Sequence, residues 1–261
     1  MSVELAHELL GPVCGPPVIL SCSLGTDRSM WDPQTPALVA RNRVVRYDLR
    51  GHGRSPAPTG PYTISDLGED LLALIDRLEV ERATLCGVSI GAMTSIWAAA
   101  QAPERVRRLV LCCTSARFGP EAAEVYRARA ETVRARTVDA VADGALERWF
   151  TPAFREAQPE LMSQIRKGLT DTSSEGYAGC CEALASLDLH PVLGSISAPT
   201  LVIAGAEDPA TPPDHGRAIA DGIPGARFEL IEGAAHLANI EKADVVTPLI
   251  AGFIDAEQEG R

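Results

Sequence analysis

The sequence predicts an α/β fold: a mostly parallel central sheet flanked by helices, with a helical segment inserted into it. Three features predict it. Short apolar, β-rich runs alternate with segments of helical periodicity, the signature of parallel strands joined by crossover helices. One strand passes directly into one helix through Gly87-Val88-Ser89-Ile90-Gly91. The alternation then stops between residues 116 and about 193, where helix-like patterns recur without a convincing strand; an inserted helical lid fits this better than a long loop.

Taken in order, residues 17–23 read as a first strand and 43–49 as a second, followed by the turn Arg50-Gly51-His52-Gly53-Arg54-Ser55. Over residues 63–78, Ile64, Leu67, Leu71, Ile75 and Leu78 share one helical face, and Thr63 is a suitable N-cap. Residues 83–88 form a third strand, 90–103 a helix closed by Pro103, and 106–113 a fourth strand. The runs 199–205 and 227–233 supply two more strands, and a last helix runs from near Lys242 to about Glu257. The expected division is a core of residues 1–115 and 194–261 and a lid of residues 116–193.

The chain has 261 residues, 46% of them hydrophobic, enough for a sizeable core. No apolar run approaches a membrane span, and the start lacks the basic and apolar regions of a signal peptide, so a cytoplasmic protein is expected. A net charge of −11 argues against nucleic acid or an anionic membrane as partner and leaves a small molecule. The seven cysteines include no C-x-x-C pair and read as reduced, mostly buried side chains, with no metal or cofactor site.

A G-x-S-x-G match is weak by itself, but the strand-to-helix context is the one a nucleophile elbow requires. A serine hydroxyl is inert at neutral pH without a base, so a histidine and an orienting acid should follow later strands. Asp208 stands just after the strand ending near Gly205, and His236 just after the strand ending near Glu232. The order Ser89, Asp208, His236 on strand C-terminal ends predicts a catalytic triad. Glu207 and Asp214 are rivals for the acid and His215 for the base; His52 reads as part of a packed turn, and His7 and His190 have no supporting neighbours. An oxyanion hole needs two N–H groups: Ile90, at a helix N-terminus, and Leu24, in the loop after the first strand, are the choices.

The stretches SLGTDRSMWDPQ, VVRYDLRGHGRSPAP, GPYTISDLGEDLLALIDRL, CGVSIGAM, APERVRRLVLCCTSARFGP, LERWFTPAFR and EGYAGCCEAL together resemble the 3-oxoadipate enol-lactonases, members of the α/β-hydrolase superfamily. The resemblance spans about residues 15–255. It departs at Ala92, where the family usually has glycine, and at Glu207, where a histidine often precedes the acid. It implies a cofactor-free hydrolase that opens an enol-lactone to 3-oxoadipate through an acyl-enzyme, in the β-ketoadipate pathway. Some relatives carry a fused decarboxylase domain; none is expected here. An esterase, a cofactor-free perhydrolase, a C–C hydrolase and a non-catalytic ligand-binding member of the fold stay open as alternatives. The implied substrate bears a carboxylate, so a local cation should meet it: Arg117, where the chain enters the lid, is the choice, with Arg127, Arg129, Arg134 and Arg136 on lid helices behind it. Trp149 is the expected lid wall over the pocket, and Trp31 and Trp97 are left to packing.

Overall fold

The computed structural model describes residues 2–256. Seven strands form one sheet: β1 (His7–Leu10), β2 (Pro17–Ser21), β3 (Arg43–Tyr47), β4 (Ala83–Val88), β5 (Val106–Cys112), β6 (Thr200–Gly205) and β7 (Arg227–Ile231). Their order across the sheet is β1-β3-β2-β4-β5-β6-β7. Every pairing is parallel except that of β1 with β3. The six strands read from the sequence are all present. The edge strand β1 is the addition: four residues with alternating exposure and one polar residue on each face, too short and without polar/apolar alternation to announce themselves.

The helices are α1 (Thr35–Leu38), α2 (Ile64–Arg77), α3 (Ile90–Gln101), α4 (Pro120–Arg136), α5 (Asp139–Trp149), α6 (Pro152–Ala157), α7 (Pro159–Thr170), α8 (Ser174–Ala185), α9 (His190–Leu193), α10 (Pro213–Gly222), α11 (Ala238–Glu241) and α12 (Ala243–Asp255). Glu257, where the last helix was expected to end, lies outside the described residues. Thr63 caps α2 with a reciprocal pair: its Oγ1 accepts from the Asp66 N–H at 3.2 Å, and its own N–H donates to Asp66 Oδ2 at 2.8 Å.

β4 and β6 are buried along their whole length, as befits central parallel strands covered on both faces. Between β5 and β6 the chain leaves the sheet to build α4 through α8. The departure and return meet in an isolated antiparallel bridge between Arg117 and Asp188. α9, beyond that bridge, packs on α3 and α10. One continuous apolar core joins sheet residues such as Val88 and Leu111 to Trp149, Phe150 and Tyr177 of the insertion.

Candidate active site

The site begins where β4 turns into α3. Ser89 sits at φ 55°, ψ −121°, a backbone region that residues with a Cβ avoid at a cost of about 1–3 kcal/mol. Two hydrogen bonds hold it there: its N–H donates to the Cys112 carbonyl at 2.9 Å, and its carbonyl accepts the Thr114 hydroxyl at 2.9 Å. The flanking glycines are steric requirements. A Cβ on Gly87 would lie 2.4 Å from the Ala92 nitrogen, and one on Gly91 would lie 2.5 Å from the Cys22 carbonyl oxygen. The crowding at Gly91 therefore comes from the end of β2, not from its own strand.

Two and three strands away, the loops after β6 and β7 bring Asp208 and His236 together. His236 Nδ1 lies 2.7 Å from Asp208 Oδ2. The other carboxylate oxygen accepts the N–H groups of Ala210 at 2.8 Å and Thr211 at 3.0 Å, and the Thr211 hydroxyl donates to Oδ2 at 2.8 Å. Burial alone would push the Asp208 carboxyl up; the charge and hydrogen bond of His236 and the bonds from Thr211 outweigh it and hold it below the ordinary value. The ionised carboxylate keeps the proton on Nδ1 and leaves a lone pair on Nε2, the arrangement a general base requires. Among the described residues no hydrogen bond joins Ser89 to His236; in unliganded sites that bond is commonly long and tightens with substrate. The chain leaving β5 bridges the two loops: Thr114 bonds the Ser89 carbonyl and the Cys113 thiol lies 3.9 Å from the Ala235 carbonyl oxygen.

The rivals fall away on exposure and partners. Glu207 and Asp214 are exposed. His215, in the first turn of α10, has no hydrogen bond on its buried Nδ1 and lies tilted against Phe118, ring centroids 6.0 Å apart. His7 bonds the Leu5 carbonyl, and His190 is exposed at the start of α9.

In the loop after β2, the Ser23 N–H donates to Met30 Sδ at 3.2 Å and the Gly25 N–H to His52 Nε2 at 2.9 Å. The Leu24 N–H between them takes no partner among the described residues, and the Ile90 N–H at the first position of α3 is likewise free. His52 thus has a function that the turn RGHGRS did not announce. Its Nδ1 lies 3.0 Å from the Arg50 carbonyl and must donate to it, which leaves Nε2 as the acceptor for Gly25. Burial pushes the His52 pKa down, favouring this neutral form.

The helical insertion covers this loop. A Cβ on Gly25 would meet Leu169 at 2.5 Å, Tyr177 at 3.0 Å and Trp149 at 3.3 Å. Trp149 is 5% exposed and packs in the apolar core against this loop. A cavity of about 240 Å³ opens at Gly25, lined also by Thr26, Met30, Leu169, Leu237 and Ile240 among others but not by Trp149. Arg117, expected to receive a carboxylate, has an exposed side chain. Arg127 and Arg134 are exposed and engage Glu124, and Glu175 with Glu182, respectively; Arg136 is exposed. Arg129 and Arg148 differ. Both are half-buried, and both act electrostatically on the buried Tyr177 phenol, whose pKa desolvation pushes up. Burial, then the charge of Arg129, pushes the Arg148 pKa down. Arg148 carries no sequence signal of its own, since it stands in an ordinary helix beside Trp149. Trp31 is fully buried and Trp97 packs over Gly68 of α2, both as core side chains. Among the described residues no cluster of three or more His, Cys, Asp or Glu could hold a metal ion, and no helix is long and apolar enough to cross a membrane.

The arrangement matches known proteins over most of its length. Residues 16–243 match the family model described as the alpha/beta hydrolase fold. The 3-oxoadipate enol-lactonase 2 of Acinetobacter baylyi is 42% identical over 92% of this chain and 89% of its own length. The 3-oxoadipate enol-lactonase 1 of the same organism is 37% identical over 97% and 94%. The crystal structure of the enol-lactonase from Burkholderia xenovorans superposes with a TM-score of 0.93 at 44% identity, covering 96% of both chains. The chain belongs to the α/β-hydrolase family and, within it, to the group of the 3-oxoadipate enol-lactonases.

Proposed function

We propose that this protein is a serine hydrolase that opens 3-oxoadipate enol-lactone to 3-oxoadipate, a step of the β-ketoadipate pathway of aromatic catabolism. The observations that carry the chemistry are the buried His236–Asp208 pair, 2.7 Å apart, and a serine held in a strained strand-to-helix turn. The substrate comes from the likeness to the enol-lactonases of Acinetobacter baylyi and Burkholderia xenovorans.

In this mechanism Ser89 Oγ adds to the lactone carbonyl carbon as His236 Nε2 takes its proton, and Asp208 stabilises the imidazolium. The N–H groups of Leu24 and Ile90 hold the oxyanion; one such donor is typically worth about 10²–10³ in rate. The carbonyl re-forms, the ring C–O bond breaks, and the imidazolium returns its proton to the leaving enolate oxygen. The enol is still tethered to the acyl chain and could re-close the ring; its tautomerisation to a ketone removes that nucleophile. Water, deprotonated by His236, then adds to the acyl-enzyme ester and Ser89 leaves with the proton. Residues 116–193 act as the lid, Trp149 as its wall over the oxyanion loop. Arg129 and Arg148, rather than the exposed Arg117, receive the substrate carboxylate. Lid cations suit an acidic protein, because charges beyond about 8 Å are screened at physiological salt and only local ones bind.

The test is turnover of the purified enol-lactone by the wild type and by Ser89→Ala. The expected result is lactone loss by the wild type and a fall of about 10⁴-fold or more in the variant. Good turnover of simple esters with none of the lactone would overturn the substrate assignment.

A further inference from the structure

The buried carboxylate of Glu241 takes no part in the mechanism above, yet it touches both sides of the site. Glu241 ends α11 and is 7% exposed. Its Oε2 accepts the Ala235 N–H at 2.8 Å. Its Oε1 accepts the Thr151 N–H at 3.0 Å and the Thr151 hydroxyl as well. Thr151 Oγ1 in turn accepts the Phe154 N–H at 3.3 Å and so caps α6 of the insertion. One residue past the histidine, the Leu237 N–H donates to the Trp149 carbonyl at 3.0 Å. Both neighbours of His236 are therefore bonded, directly or through one carboxylate, to residues 149–151.

We propose that Glu241 is a positioning residue that fixes the His236 loop and the Trp149 wall as one rigid unit. The inference rests on Ser89 and His236 acting as proposed above. A carboxylate is the chemistry this place selects. Its two oxygens face only donors, one toward Ala235 and one toward Thr151, and a buried charge is tolerated when N–H and O–H groups satisfy it. An amide cannot replace it, because its NH₂ would face either the Ala235 or the Thr151 N–H. Whichever arm is lost, the tie between the residue next to His236 and Thr151 is broken, and errors of about 1 Å in a catalytic group cost on the order of 10² in rate.

The segment 149–151 is tied to the histidine loop at two points, whereas α7 meets the oxyanion loop across the cavity described above.

The experiment measures the rate at which a fluorophosphonate labels Ser89, together with hydrolysis of p-nitrophenyl acetate and calorimetric binding of 3-oxoadipate. For Glu241→Gln the expected result is labelling and kcat reduced by about 10–100-fold with product affinity within about 3-fold. Thr151→Val, which keeps the N–H arm, should fall less, and Thr151→Ser should restore the wild-type rate. Binding that collapses together with the rate would indicate a merely structural role and overturn the proposal. So would a folded Glu241→Gln protein that labels at the wild-type rate. If Glu241→Gln does not fold, the threonine pair decides: Thr151→Val at the wild-type rate overturns the proposal, and a loss rescued by Thr151→Ser supports it. A wild type that does not label at Ser89 removes the serine assignment itself, and the assignment of Glu241 with it.

Discussion

His52 shows how a single buried side chain can tie stability and function to pH. Burial lowers its pKa below the ordinary 6.5, while in the unfolded chain it titrates near about 6.5. Between those two values the unfolded chain binds the extra proton, so stability is complete above pH of about 6.5 and falls as the pH drops below it. Protonation would also remove the acceptor of the Gly25 N–H and release the loop that carries Leu24. The wild type should therefore lose more thermal stability between pH 7.5 and 5.5 than His52→Gln, whose amide oxygen still accepts a hydrogen bond but does not titrate. Equal losses in thermal unfolding experiments would contradict this account. The sequence shows His52 only as a residue of a glycine-rich turn. Its partner Gly25 is 27 positions away, a separation no local pattern encodes.

At the scale of elements, the elbow was the most legible part. The pattern Gly87-Val88-Ser89-Ile90-Gly91 lies between a wholly buried strand and a helix, and the backbone strain at Ser89 follows from it. The element that crowds Gly91 was not legible, because β2 meets β4 only through the sheet order. Gly91→Ala would push a methyl group against the backbone of Ser21 and Cys22 and should cost about 1–3 kcal/mol, read as a lower Tm. An unchanged Tm would show that β2 yields at that point. In the insertion, helical patterning revealed that helices were present but not which arginines face inward. Arg117 looked well placed at the entrance of the insertion and is exposed; Arg148 looked ordinary and is half-buried beside Arg129. Arg148→Met should raise KM for the carboxylate-bearing lactone by roughly 10–100-fold, the worth of one charged hydrogen-bonded contact. It should leave a neutral ester unaffected, and equal effects on both would exclude carboxylate recognition.

At the scale of the whole molecule, the parallel sheet was legible because each strand is an apolar run set off by turns. The antiparallel edge β1 was not, because it buries only part of itself and depends on β3 for its hydrogen bonds. The sequence suggested a helical insertion between strands of the sheet, and the apolar cluster runs through sheet and insertion without a break. Sheet and insertion should therefore unfold together, in a single calorimetric transition; two separated transitions would contradict a shared core.

The central claim is that Ser89 becomes acylated while His236, steered by Asp208, moves the proton. Rapid-quench mass spectrometry of the protein mixed with the enol-lactone tests it most directly. Ring opening expels no fragment, so the account predicts a transient adduct equal in mass to the whole lactone, on the peptide containing Ser89 and absent from Ser89→Ala. Turnover with the adduct on another residue, or an undiminished adduct in Ser89→Ala, would contradict it.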